Sequence, residues 1–219
     1  MDKKLILFDL DGTLTDSGEG ITKSVKLALD HFGIPVESLD DLRYFVGPPL
    51  RDSFLKAGVP EDRIEEAITV YRSRYTTVGK FENIPYPGIP EMLSQLKAQD
   101  YQLCVATSKP ETMSVEILDK FELSHYFDEI CGATLDKSRD SKSAVIAYLL
   151  EKTGSSNNAI MVGDTAFDVI GAAEHGIPTI GVSWGYGSME EMIASGAVAI
   201  AHSTDELFKL VKNFYYIVL

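Results

Sequence analysis

The chain has 219 residues, 45% of them hydrophobic and 24% charged, with a formal net charge of −13. This is the composition of a soluble globular protein, and the length suits one large domain or a core carrying a smaller insertion. The acidic balance disfavours nucleic acid polymers and anionic membranes as partners, and no apolar run approaches a membrane span.

The first element is the apolar run from Leu5 to Phe8. Four consecutive apolar residues fit a strand covered on both faces. The run stops at Asp9, and Asp11 follows just past the strand, with Gly12 allowing a sharp turn. Two carboxylates this close repel each other unless a cation lies between them or one keeps its proton. An ordinary acidic turn uses the same residue types.

Over residues 17–84 the pattern is helical. Ile21, Val25, Leu29 and Phe32 repeat at about 3.6 residues, as do Ile64, Ile68, Tyr71 and Tyr75, and no convincing strand appears. We read a helical domain, 17–84, inserted into a core made of 1–16 and 85–219. Its segment Arg43 to Arg51 contains Gly47, Pro48 and Pro49, a stiff turn flanked by cations. Arg43, Gly47 and Arg51 are candidates for holding a second anionic group, although solvated arginines on a connector give the same pattern.

Pro85 to Gly88 punctuates the return to alternating strands and helices. Ile89, Met92, Leu93 and Leu96 fall at helical spacing. A strand over 102–106 stops at Thr107 and Ser108. Ile117, Leu118 and Phe121 mark a helix, and 130–133 a short strand. Lys142 opens another helix, with Val145 and Leu149 on its apolar side. The strand 159–162 stops at Gly163 and Asp164, with Asp168 four residues on, and 179–182 and 198–201 are further strands. This alternation predicts an α/β fold with a parallel sheet and helices on both faces. Cys104 and Cys131 lie in apolar runs and read as reduced core thiols. No cleavable leader is visible, which gives a cytoplasmic location as the expectation.

In a parallel sheet the polar strand ends converge on one edge. A hydroxyl, a lysine and several carboxylates there suit phosphoryl transfer. Each position also has a structural reading. Thr107 and Ser108 fit a strand-end turn, Lys142 a solvated helix start, Asp164 a Gly-Asp turn, and Asp168 a helix N-terminal acid. Lys137 competes with Lys142 for the same role, and Lys109 reads as a surface residue before Pro110. The four histidines show no metal-ligand spacing. Trp184-Gly185-Tyr186-Gly187 reads as a mobile loop beside the site, unless its aromatics pack on the core.

Four motifs in order, Asp9-Leu10-Asp11-Gly12-Thr13, Thr107, Lys142, and Gly163-Asp164 with Asp168, cover nearly the whole chain. In them the sequence resembles the haloacid dehalogenase (HAD) superfamily phosphatases with a helical C1-type cap, most of all the phosphoglycolate phosphatase-like and 5'-nucleotidase-like subgroup. The resemblance implies a Rossmann-like core with 17–84 as the inserted cap. It also implies that Asp9 is a nucleophile forming an aspartyl-phosphate and that Asp11 carries a proton to the leaving oxygen and then from water. Mg2+ would be bound by an Asp9 oxygen, the Asp11 backbone carbonyl and Asp164, with Asp168 behind these ligands or reaching the metal through water. Thr107 and the Ser108 amide would hold the phosphoryl group, and Lys142 would pair with Asp9 and the phosphate. The implied partner is a small phosphorylated metabolite. Phosphoglycolate, nucleoside monophosphates, pyrophosphate and phosphotyrosine all stay open, as does the choice between monomer and homodimer. Asp11 argues against dehalogenase and phosphonate-cleaving chemistry. A sugar phosphomutase or a pyrophosphatase keeps the same residues. A non-catalytic metal- or partner-binding module would not need every chemical position filled.

Overall fold

In the computed structural model, which describes residues 4–136, 138–154 and 158–217, the first apolar run forms β1 (Leu5–Phe8). The chain continues through β2 (Thr15–Asp16), α1 (Gly18–His31), α2 (Leu50–Lys56), α3 (Ile64–Tyr75), β3 (Ile84–Pro85) and α4 (Ile89–Ala98). Then come β4 (Gln102–Pro110), α5 (Glu111–Lys120), β5 (Glu129–Ala133), α6 (Lys142–Thr153), β6 (Ala159–Gly163) and α7 (Ala166–Ala173). β7 (Thr179–Val182), α8 (Met189–Ala194), β8 (Ala199–Ala201) and α9 (Thr204–Ile217) complete it. These elements fall into two compact units, Met1–Thr15 with Pro85–Leu219, and Asp16–Ile84.

The larger unit is a six-stranded sheet in the order β5-β4-β1-β6-β7-β8, its pairings parallel. Strand alternation builds a core on each face. Ile6, Phe8, Leu103, Val105, Ile160 and Val162 pack with Leu93 and Leu96 of α4, Ile117 of α5 and Val211 of α9. Their neighbours Leu5, Leu7, Cys104, Ala106, Ala159 and Met161 pack with Val145, Ile146 and Leu149 of α6 and Ala172 of α7. Covering both faces is why the strands read as unbroken apolar runs. Cys104 and Cys131 are buried free thiols, pushed up by burial to about 12 and about 11, and so chemically quiet.

The strand order positions the site. From β1 the chain adds β4 and β5 on one side, then β6, β7 and β8 on the other. The order therefore reverses at β1, and a crevice opens beyond the carboxyl ends at such a switch point. β4 runs on through Thr107, Ser108 and Lys109 to Pro110, past the expected end at Ala106. Pairing with β5 resumes at Pro110 opposite Ala133 after a register shift, so polar residues ride on a strand that apolar patterning alone would end.

The smaller unit holds α1, α2 and α3 with 3-10 turns at Leu39–Phe45, Glu61–Arg63 and Gly79–Phe81. An aromatic chain runs through it, with Phe45 5.1 Å from Phe54, Phe54 6.4 Å from Tyr71, and Tyr71 stacked at 5.1 Å on Tyr75. Glu82 anchors its last turn by pairing with both Arg74 and Lys23.

Leu93 is fully buried between α4 and the sheet. Leu93→Ala is expected to lower the unfolding free energy by roughly 2–5 kcal/mol through lost transfer energy and a residual cavity, measured as a shift of the urea midpoint.

Candidate active site

β1 stops where its apolar run stops, so Asp9 stands at the carboxyl edge, its amide donating to the Val162 carbonyl at 2.9 Å. The chain then folds back on itself. The amides of Leu14 and Thr15 both donate to the Leu10 carbonyl, and the Gly12 amide donates to Thr15. Gly12 has φ +85°, and a Cβ there would lie 2.2 Å from Asp164 Oδ2. Glycine alone permits both the left-handed turn and that approach.

Asp164 follows β6. Its Oδ1 accepts the Thr13 hydroxyl at 3.4 Å, and its Oδ2 accepts the Tyr186 amide at 2.8 Å. The Trp184 indole N–H donates to the Thr13 carbonyl at 3.0 Å, and its ring packs against the core beside Tyr86. Of the two readings of this loop, packing is the one the structure takes for Trp184.

Asp168 completes the N-terminal capping box of α7, its Oδ2 accepting the Thr165 amide at 3.1 Å and hydroxyl at 2.9 Å. Its Oδ1 lies 2.8 Å from the Lys142 ammonium. Lys142 is the first residue of α6, whose start is capped by Ser141 accepting from the Ala144 amide. The ammonium donates to Asp9 Oδ1 at 2.7 Å and to the Ala106 carbonyl at 2.8 Å. Asp9, Lys142, Asp164 and Asp168 are thus brought together, all buried.

The electrostatics follow from that burial. Desolvation pushes Asp9 up to about 6, with Lys142 opposing and Asp168 adding to the rise. Desolvation also raises Asp164 well above the usual carboxylate range, helped by Asp168 and Asp9. Burial works against the Lys142 charge, but Asp168 and Asp9 outweigh it and hold the ammonium above the ordinary lysine range. Oxygens of Asp9, Asp164 and Asp168 lie within 4.8 Å of one another. Three carboxylates facing one ammonium leave two negative charges, which a divalent cation with a preference for oxygen would balance. The residues present therefore fit Mg2+. Asp168 is tied to Lys142 and the α7 cap, which suits a place behind the ligands.

Thr107 is buried, and its hydroxyl oxygen accepts the Lys109 amide at 3.2 Å. Ser108 beside it is half-buried. Lys109 corrects the sequence reading. It is buried, not a surface residue, and its ammonium lies 2.7 Å from Asp11 Oδ2. No local pattern in the sequence marks it, because its burial depends on the register shift in β4. Lys137 lies outside the described residues. Arg43, Gly47 and Arg51 belong to the smaller unit. Arg43 pairs with Asp40 at 3.5 Å and Arg51 with Glu61 at 3.0 Å, both exposed, and Gly47 has φ +102°.

A parallel α/β sheet with a buried lysine and clustered carboxylates at its switch point is an arrangement that suits phosphoryl transfer. Residues 6–182 match the haloacid dehalogenase-like hydrolases. The chain is 43% identical over 191 residues to a 5'-nucleotidase of Pseudomonas aeruginosa, covering 86% of each chain. It is 41% identical to the tyrosine-protein kinase PtkA of Mycobacterium tuberculosis, covering 93% of this chain and 71% of that protein. A crystal structure described as a predicted phosphatase from Clostridium acetobutylicum superposes with a TM-score of 0.93 at 48% identity, covering 96% of this chain and 99% of that one. The chain belongs to the haloacid dehalogenase-like hydrolase family, and it is a phosphatase.

The acid cluster links stability to pH and metal. The folded Asp9 value of about 6 stands above the ordinary 3.8. Its contribution without metal is therefore full below the ordinary value and is lost as pH rises through the folded one. Mg2+ is expected to raise the melting temperature more at about pH 7.5 than at about pH 5, because cation and protons compete for the same carboxylates. Differential scanning fluorimetry with Mg2+ against chelator measures this.

Proposed function

We propose that this phosphatase uses Mg2+ and an aspartyl-phosphate on Asp9 to hydrolyse a small phosphate monoester, phosphoglycolate or a nucleoside monophosphate. The observation that carries the reading is the buried Lys142 ammonium, 2.7 Å from Asp9 Oδ1 and joined to the acid cluster. It orients the Asp9 carboxylate and brings positive charge to a phosphate group that an acidic protein would otherwise repel. An Asp9 oxygen, the Asp11 carbonyl and Asp164 would hold Mg2+, which supplies charge neutralisation to the phosphoryl oxygens when bound. The 5'-nucleotidase relative supports the nucleotide end of the substrate range.

In the first step an Asp9 carboxylate oxygen bonds to phosphorus. The bond from phosphorus to the ester oxygen breaks, and that oxygen leaves with a proton from Asp11. In the second step a water oxygen bonds to phosphorus and a water proton passes to Asp11. The bond to Asp9 breaks, its electron pair returns to the carboxylate, and phosphate departs. Thr107 accepts from the Lys109 amide, so its hydroxyl keeps a proton to donate to a phosphoryl oxygen, with the Ser108 amide beside it. Asp168 steadies Lys142 from the side of α7.

Asp9→Asn removes the nucleophile and preserves its shape. It is expected to reduce phosphate release by at least about 10⁴-fold with little change in melting temperature. Wild-type rates, with deamidation excluded by mass spectrometry, would overturn the covalent route. Conversion of a sugar 1-phosphate to an isomer without phosphate release would replace hydrolysis by the mutase reading. Because one relative is named a tyrosine-protein kinase, ATP with a tyrosine peptide is the necessary control, and phosphotyrosine formation would redirect the assignment.

Arg43 and Arg51 are proposed to read the substrate's second anionic group. Alanine at either is then expected to reduce turnover of the true substrate far more than that of a generic aryl phosphate, which lacks that group. Equal losses on both would make the arginines supports of their own unit. No loss on either would leave them solvated.

A further inference from the structure

We propose that Lys109 is a positioning residue for Asp11, fixing which of its two carboxylate oxygens meets the reacting groups. The inference rests on the reading of Asp11 as the proton carrier. The Lys109 ammonium is 2.7 Å from Asp11 Oδ2, with the two side chains only 4% and 11% exposed. The other oxygen, Oδ1, is buried and accepts no hydrogen bond from the protein. A buried carboxylate oxygen without a donor is costly and calls for an explanation. Here one oxygen is held by lysine, and the other is left to exchange a proton with the leaving oxygen and then with water.

The backbone is built to place this lysine. Between the pairs Thr107–Gly132 and Pro110–Ala133, β4 advances three residues while β5 advances one. Ser108 and Lys109 therefore bulge from the ladder, and bulges re-aim side chains at sheet rims. The bulge is secured by the Lys109 amide donating to Thr107 Oγ1. On β5, a Cβ at Gly132 would lie 2.5 Å from the Lys109 carbonyl, so only glycine leaves the bulged backbone its room.

The test uses the full chain with Mg2+ and a series of esters from para-nitrophenyl phosphate through phenyl phosphate to glycerol phosphate. kcat/KM reports the steps up to loss of the leaving group, where a misplaced acid matters most for the poorest leaving group. Lys109→Met is expected to reduce kcat/KM about 100-fold for glycerol phosphate and within about threefold for para-nitrophenyl phosphate. In an Asp11→Asn background the same change is expected to add less than about threefold, because both changes remove one function. Lys109→Gln keeps a donor for Oδ2 and is expected to restore part of the glycerol phosphate rate. It also carries the test if Lys109→Met melts abnormally. Equal losses along the series, or full additivity with Asp11→Asn, would overturn the positioning role. Intact glycerol phosphate turnover in Asp11→Asn alone would overturn the acid–base reading itself, a separate result.

Discussion

One buried ammonium organises the carboxyl edge of the sheet. The Lys142 ammonium donates to Asp9 Oδ1 and to the Ala106 carbonyl, and its nitrogen lies 2.8 Å from Asp168 Oδ1 as an ion pair. Those partners come from the end of β1, from β4 and from α7, so one side chain ties three elements to the start of α6. Removing one partner of a buried pair costs roughly 3–5 kcal/mol, because the remaining charge stays uncompensated.

The same cluster resolves the conflict between an acidic protein and an anionic substrate. The chain carries a net charge of −13, yet two of its lysines, Lys109 and Lys142, are buried beside Asp11 and Asp9. Inside the protein the lower dielectric strengthens their local field, whereas exposed charges are screened. Asp9 and Asp11, two residues apart, receive one lysine each. The proposed nucleophile and the proposed proton carrier are thereby held separately, although they arise from a single turn.

Substrate choice is a different matter. The relatives named above differ in what their names say they do, and one fold hosts many substrates. Within the smaller unit, the aromatic chain from Phe45 to Tyr75 accounts for its packing, while Arg43 and Arg51 pair with carboxylates on its surface. Core chemistry and substrate recognition thus rest on different kinds of residue. Buried, closely spaced charges are proposed for the first, and exposed ones for the second.

The sequence by itself determined the α/β alternation, the position of Asp9 where an apolar run ends, and the placing of Asp164 just past a later strand. These are local signals, since a strand covered on both faces must be apolar until it leaves the core. It could not establish that Lys109 is buried. That depends on β4 continuing past Ala106 and bulging opposite Gly132, and on the turn after β1 bringing Asp11 within reach. Nor did it separate Lys142 from Lys137 without the family resemblance, because either lysine reads equally well as a solvated charge. Only the tertiary structure decided which carboxylate each lysine meets. Ion pairs in the interior are selected by sheet order and by the cost of leaving any buried charge alone, and neither is written in the spacing of residues along the chain.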